Sequence, residues 1–187
     1  MNQTPRGNRL HIAVFGRRNA VKSSLINAVT GQEVALVSEH PGTTTDPVYK
    51  AMELLPLGPV VFIDTAGLDD TGDLGQLRVK KTLDIMDKTD LALLVFSPEN
   101  SDFTLEREWY NELQKRKIPV IGVVNKVDVK DVDLNEYAKD FNLPFIKVSA
   151  KEGTNIGKLK EMISQYAPID FELTALIGDI LKPKSLV

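Results

Sequence analysis

Along the chain, short unbroken apolar runs alternate with longer stretches in which apolar residues recur at every third or fourth position. Unbroken short runs mark strands buried on both faces of a parallel sheet, and the three- to four-residue recurrence marks helices with one face on a core. The runs predict strands over 10–15, 49–54, 60–63, 91–96, 120–124 and 145–148. The periodic stretches predict helices over 22–29, 77–86, 105–115, 135–140 and 156–164, with Asp102 or Thr104 placed to cap the third. Such alternation predicts an α/β domain, a six-stranded, mostly parallel sheet flanked by helices and doubly wound. Two segments stand outside the pattern: 31–47, rich in Thr, Gly and Pro, and 68–75, rich in Asp and Gly. Loops of that length inside a compact domain tend to be functional.

The ends divide the chain further. Residues 1–9 form a polar arm and 10–166 hold the predicted domain. Residues 167–187 carry Phe171, Leu173, Leu176, Ile177, Ile180 and Leu181 after the last predicted helix. That tail is either a helix folded back on the domain or a linker toward a further one.

Composition narrows the chemistry. With 187 residues, 42% of them hydrophobic, the chain can bury a full core without staples. The absence of cysteine excludes a disulfide scaffold, Cys-ligated zinc, a thiol nucleophile and a Cys-held iron–sulfur cluster within it. Lys and Arg number 23 against 26 Asp and Glu, a net charge of -3, so neither nucleic acid nor an anionic membrane is an expected partner. The longest apolar runs, such as 59–63 and 91–96, fall far below the roughly 20 residues a membrane span needs. The polar start carries no secretory pattern, and the expected location is the cytoplasm.

The first predicted strand runs into Gly16-Arg17-Arg18-Asn19-Ala20-Val21-Lys22-Ser23-Ser24 and then a helix, the context of a phosphate-binding loop. Backbone N–H groups of such a loop wrap a β-phosphate at the positive end of the helix dipole. Lys22 would neutralise β- and γ-phosphate oxygens, and Ser23 would ligate magnesium. Glycine is expected before the lysine, and Val21 stands there. Without that glycine the pattern arises by chance in roughly one chain in ten of this length, so alone it is weak. A β-branched residue at positive φ is strained, which predicts weaker nucleotide binding than Val21→Gly would give. Arg17 and Arg18 either steer phosphate or form a solvated pair.

Further along, Asp64-Thr65-Ala66-Gly67 closes a buried strand. Asp64 would hold magnesium through water, and the Gly67 N–H would meet the γ-phosphate. The loop Pro41-Gly42-Thr43-Thr44-Thr45-Asp46 offers hydroxyls, of which Thr44 is the expected magnesium ligand. Asn125-Lys126-Val127-Asp128 follows the fifth strand. A carboxylate at Asp128 matches the N1–H and exocyclic amine of guanine, a donor pair that adenine lacks. Asn125 would tie two loops together near the purine N7, the Lys126 stem would cover the base, and Ser149-Ala150-Lys151 would bring a backbone N–H to guanine O6. Among other residues, His11 and His40 read as structural and solvated, and Trp109 and Tyr110 as packing.

The five motifs, in this order and each placed at a strand end or in the loop before one, resemble those of the small-GTPase-like P-loop fold. The loops at 15–19, 41–48 and 64–70 look like the GTPase domain of the HydF family, maturation GTPases of FeFe-hydrogenases related to the bacterial TrmE and Era GTPases. The resemblance spans about residues 8–166. It implies a slow GTP hydrolase acting as a switch, with GTP or GDP, Mg2+ and K+ as ligands, potassium being held by Asn19. It also implies a homodimer and other hydrogenase maturation proteins as partners. The family's iron–sulfur cluster belongs to a cysteine-bearing domain, so none is expected here. Leu68 stands where Ras-like relatives orient water with Gln, and Gln76 is the expected substitute, with Asp69, Asp70 and Asp73 behind it. Lys22, Thr44 and Gln76 are thus the expected catalytic set. Two other readings stay open: a guanine-nucleotide module with negligible hydrolysis, and an interaction domain whose phosphate loop is disabled by Val21.

Overall fold

The computed structural model describes residues 9–31, 47–65 and 75–168. The expected ligands Thr44 and Gly67, with Leu68, Asp69, Asp70 and Asp73, lie outside the described residues, as do the first eight residues and the tail from 169. Gln76 sits in a described helix, but its side chain lies outside what is described.

Among the described residues, twelve elements run β1 (Leu10–Gly16), a 3₁₀ turn (Arg18–Ala20), α1 (Lys22–Thr30), β2 (Val48–Leu54), β3 (Gly58–Asp64), α2 (Gly75–Asp87), β4 (Leu91–Phe96), α3 (Thr104–Lys115), β5 (Val120–Val124), α4 (Leu134–Ala138), β6 (Phe145–Lys147) and α5 (Ile156–Tyr166). The sheet order is β2-β3-β1-β4-β5-β6, with β2 antiparallel to β3 and every other pair parallel. The carboxyl ends of β1, β3, β4, β5 and β6 therefore share one edge, and the strand order reverses beside β1. Open α/β sheets bind their ligands along that edge.

Strand alternation splits the core in two. Ile12, Val14, Leu93 and Val95 face a layer that includes Leu25 and Ile26 of α1 and Leu159 and Ile163 of α5. Ala13, Phe15, Leu94 and Phe96 face Met86 of α2, Leu113 of α3 and Tyr137 of α4. β4 is buried at every position, which is why it reads as six consecutive apolar residues rather than an alternation.

Several boundaries differ from the sequence reading. Asp64 is the last residue of β3 rather than a loop residue after it. Thr104 is the first residue of α3, and Asp102 accepts hydrogen bonds from both its N–H and its hydroxyl. The fourth helix is short: Asp133 caps it through the Asn135 N–H, and it ends at Ala138, so that Phe141 can enter the aromatic cluster under Phe96.

Candidate functional site

Gly16 delivers the chain from β1 into the loop because nothing larger fits. A Cβ there would lie 2.6 Å from the Val95 carbonyl oxygen of the neighbouring strand. The 3₁₀ turn follows, closed by the Ala20 N–H donating to the Arg17 carbonyl at 3.0 Å. Val21 then takes φ 58° and ψ 58°, the left-handed conformation that glycine adopts freely and a β-branched residue does not. The positive φ expected at this position is present even with valine. Lys22 opens α1, is buried, and donates from Nζ to the Gly16 and Arg17 carbonyls. Ser23, one residue on, donates its hydroxyl to Asp64 Oδ2 at 2.8 Å. Asp64 is 3% exposed. A serine hydroxyl and a buried carboxylate from two separate motifs therefore meet at one point, the hard oxygen donors that magnesium takes.

Asn125, buried at the end of β5, joins three loops. Its Nδ2 donates to the Ala20 carbonyl at 3.0 Å, and its Oδ1 accepts the Ala150 N–H at 3.0 Å. The Ala150 N–H is thus spent within the protein, and Lys151 supplies the next backbone donor of that loop. Ser149, also buried, donates to Asp128 Oδ1 at 2.7 Å and accepts the Glu152 N–H at 3.1 Å. Its hydroxyl fixes the direction of the Asp128 carboxylate, a role that the order of motifs alone does not reveal. Lys126 takes φ 64° and forms a 2.6 Å ion pair with Glu99, which holds the Glu99 carboxyl below its usual range.

These loops surround one cavity of about 840 Å³. Val21, Ser24, Asn125, Lys126, Asp128, Ala150 and Lys151 all line it, together with Asn27 and Ala28 of α1. Three separate sequence motifs thus converge on one space of the size a nucleotide needs.

A family model described as "50S ribosome-binding GTPase" matches residues 11–126, more than half of the chain. The chain belongs to this GTPase family. Among curated relatives, the tRNA modification GTPase MnmE of Hamiltonella defensa is 33% identical over 163 residues, covering 83% of this GTPase chain and 35% of its own. GTPase Der of Nautilia profundicola is 33% identical over 165 residues, covering 82% and 36%. The GTPase chain thus spans about a third of the length of the curated relatives it matches. Among solved structures, an Era variant of Aquifex aeolicus bound to GDP and AlF4- aligns with a TM-score of 0.71 at 26% identity, over 84% of this chain and 56% of that one. The G domain of the T. maritima FeoB iron transporter aligns with a TM-score of 0.63 at 26% identity, over 84% and 98%. The fold is thus that of P-loop GTPases, and binding and hydrolysis of GTP are the activity of the family.

Other contacts in the GTPase domain had no motif to announce them. Arg17 has partners that neither reading named: its Nε donates to Glu106 Oε1 at 2.8 Å, and its Nη2 donates to the Asp102 carbonyl at 2.9 Å. Asn19 exchanges amide hydrogen bonds with Asn100, at 2.9 and 3.2 Å. A signal for Glu106 exists in the sequence. It shares a helical face with Trp109, Tyr110 and Leu113, three, four and seven positions on, so an acid sits on the apolar stripe of α3.

Proposed function

We propose that this domain is a slow GTP-hydrolysing switch that holds the nucleoside in the 840 Å³ cavity and the phosphates along the loop 16–24. The convergence of the loops after β1, β5 and β6 on that cavity carries the reading. Asp128, oriented by Ser149, accepts from guanine N1–H and the exocyclic amine. Asn125 keeps a second amide proton for N7, the Lys126 stem covers the base, and the Lys151 N–H meets O6 beside Ala150. Along the loop, Lys22, Ser23 and Ser24 offer backbone N–H groups to the β-phosphate at the start of α1, whereas the Ala20 and Val21 N–H groups shape the loop by donating to the Arg17 and Arg18 carbonyls, and Lys22 neutralises the β- and γ-oxygens.

Ser23 and Asp64 fit a magnesium site, Asp64 acting through water and Thr44 joining from its loop. The ion would neutralise charge between the β- and γ-phosphates. Asn19 is the proposed potassium ligand. Among the described residues its amide oxygen accepts one bond, at 3.2 Å from Asn100, and an amide oxygen has a second lone pair, so the side chain is compatible with a cation. In hydrolysis, water attacks the γ-phosphorus as the bond to the β–γ bridging oxygen breaks, giving GDP and phosphate. Gly67 is the proposed γ-phosphate donor and Gln76 the proposed water-orienting residue. A place in FeFe-hydrogenase maturation, with homodimer formation and other maturation proteins as partners, rests on the likeness of residues 15–19, 41–48 and 64–70 to the HydF family. Era has been solved with MgGDPNP and a segment of 16S ribosomal RNA. RNA is not proposed for this chain, whose net charge is -3.

A second reading, a nucleotide-binding module with negligible turnover, rests on Leu68 standing where Ras-like relatives orient water with Gln. Calorimetric titration with GDP, a non-hydrolysable GTP analogue and ADP, in magnesium with potassium or sodium, tests the first. Guanine-selective binding that tightens in Val21→Gly, with faster turnover in potassium lost in Asn19→Ala, is the expected result. Folded protein that binds neither guanine nucleotide in either form overturns the proposal.

A further inference from the structure

The connection from β4 into α3 approaches the nucleotide loops from a side that no motif covers. Glu99 pairs with Lys126, Asn100 with Asn19, and the Asp102 carbonyl and Glu106 carboxylate both with Arg17. Glu106 is the buried member, 1% exposed. An ionised carboxylate in such surroundings requires a partner, and the Arg17 fork supplies it: Nε to Oε1 at 2.8 Å and Nη2 to Oε2 at 3.3 Å. With Nη2 also on the Asp102 carbonyl, the guanidinium is turned onto α3 and away from the cavity, which it does not line. The Arg17 backbone carbonyl meanwhile accepts the Ala20 N–H at 3.0 Å and Lys22 Nζ at 3.3 Å. A side-chain lock on α3 therefore fixes the carbonyl that shapes the 3₁₀ turn and receives the Lys22 ammonium.

We propose that Glu106 is a positioning residue for the phosphates: acting through Arg17, it holds residues 17–22 in the shape that receives a di- or triphosphate. Asn100 and Glu99 are auxiliary ties, on Asn19 and Lys126. The inference rests on the guanine-nucleotide reading of the cavity and adds a residue to it that touches neither ligand nor cavity. The carboxylate that reads the base is aimed separately, by the Ser149 hydroxyl on Asp128, so the effect of Glu106 falls on phosphate affinity and leaves base recognition alone.

Two variants test this, each in the chain as it stands and in Val21→Gly. Glu106→Gln keeps the shape and removes the charge, whereas Arg17→Lys keeps the charge and removes the fork. The readouts are affinity for GDP, affinity for guanosine, and hydrogen exchange at the Ala20 amide without nucleotide. GDP affinity is expected to fall about tenfold in Glu106→Gln, the loss of one charge-assisted hydrogen bond, while guanosine affinity changes by less than about twofold. Ala20 exchange is expected to rise in parallel, and Arg17→Lys to repeat both effects at smaller size. GDP and guanosine weakening together would make Glu106 a general brace and overturn the inference. So would a folded variant with unchanged GDP affinity and unchanged Ala20 exchange. If Glu106→Gln does not fold, Arg17→Lys decides by the same criteria. If no form binds GDP or guanosine, the guanine reading fails, and Ala20 exchange alone decides whether Glu106 holds the loop.

Discussion

Val21 adopts a left-handed backbone that a β-branched side chain occupies at a cost of about 1–3 kcal/mol. Because this conformation is part of the folded domain, the strain weighs on folding stability. The expected effect on affinity is separate, since Val21 is also among the residues that line the cavity. Val21→Gly relieves the strain and gives back about 0.5–1 kcal/mol in unfolded-chain entropy. Its unfolding free energy in urea is therefore expected to rise by about 1 kcal/mol, whether or not nucleotide is present. Ser149 makes the complementary case at the base end. Ser149→Ala removes the donor that aims Asp128, and GDP affinity is expected to drop by about 1–2 kcal/mol in calorimetry, with ADP unaffected. Position 21 could be read from spacing, since the loop pattern demands a glycine there. The aim of Asp128 could not, because it depends on a side chain 21 positions away, with α4 and β6 between the two.

At the scale of elements, the buried strands were legible because burial on both faces writes an unbroken apolar run, as in β4 and β5. The less legible elements answer to tertiary partners. α4 stops at Ala138 so that Tyr137 and Phe141 can both reach Phe96, whose ring stands 5.4 and 5.2 Å from theirs. Phe103 and Phe145 complete the cluster, at 5.6 and 5.7 Å from the same ring. Phe96 thus joins the end of β4, α4 and the start of β6 in one aromatic cluster. Phe96→Ala is expected to lower the unfolding free energy by about 3–5 kcal/mol in chemical denaturation. The Arg17–Glu106 pair belongs to the same class of hidden feature. Its partners lie 89 positions apart, and only the misplaced acid on the α3 stripe hints at it.

For the whole molecule, the pH range of stability follows from groups on opposite sides of neutrality. The Lys126 ammonium beside Glu99, the Thr104 hydroxyl and N–H on Asp102, Arg116 and Lys115 around Glu112, and Lys147 on Asp131 hold these exposed carboxyls below their usual range. Each contributes stability that is present above the unfolded carboxyl range, about pH 4, and is lost as the pH falls. Burial pushes the Tyr137 phenol up, aided by the Glu136 charge, so its contribution is full below about pH 10 and is lost as the pH rises further. Thermal melts are expected to plateau between these limits, and Tyr137→Phe to flatten the alkaline decline while leaving the acid one unchanged.

The amide of Asn125 spends one proton on Ala20 and its oxygen on Ala150, so a single side chain sets the spacing between the loops after β1 and β6. Replacement of Asp128 or Ser149 changes what the far end of the cavity recognises without altering that spacing. Replacement of Asn125 releases both loops at once. A lineage drifting toward a new base would therefore find its path through positions 128 and 149, while 125 stays frozen whatever the ligand becomes.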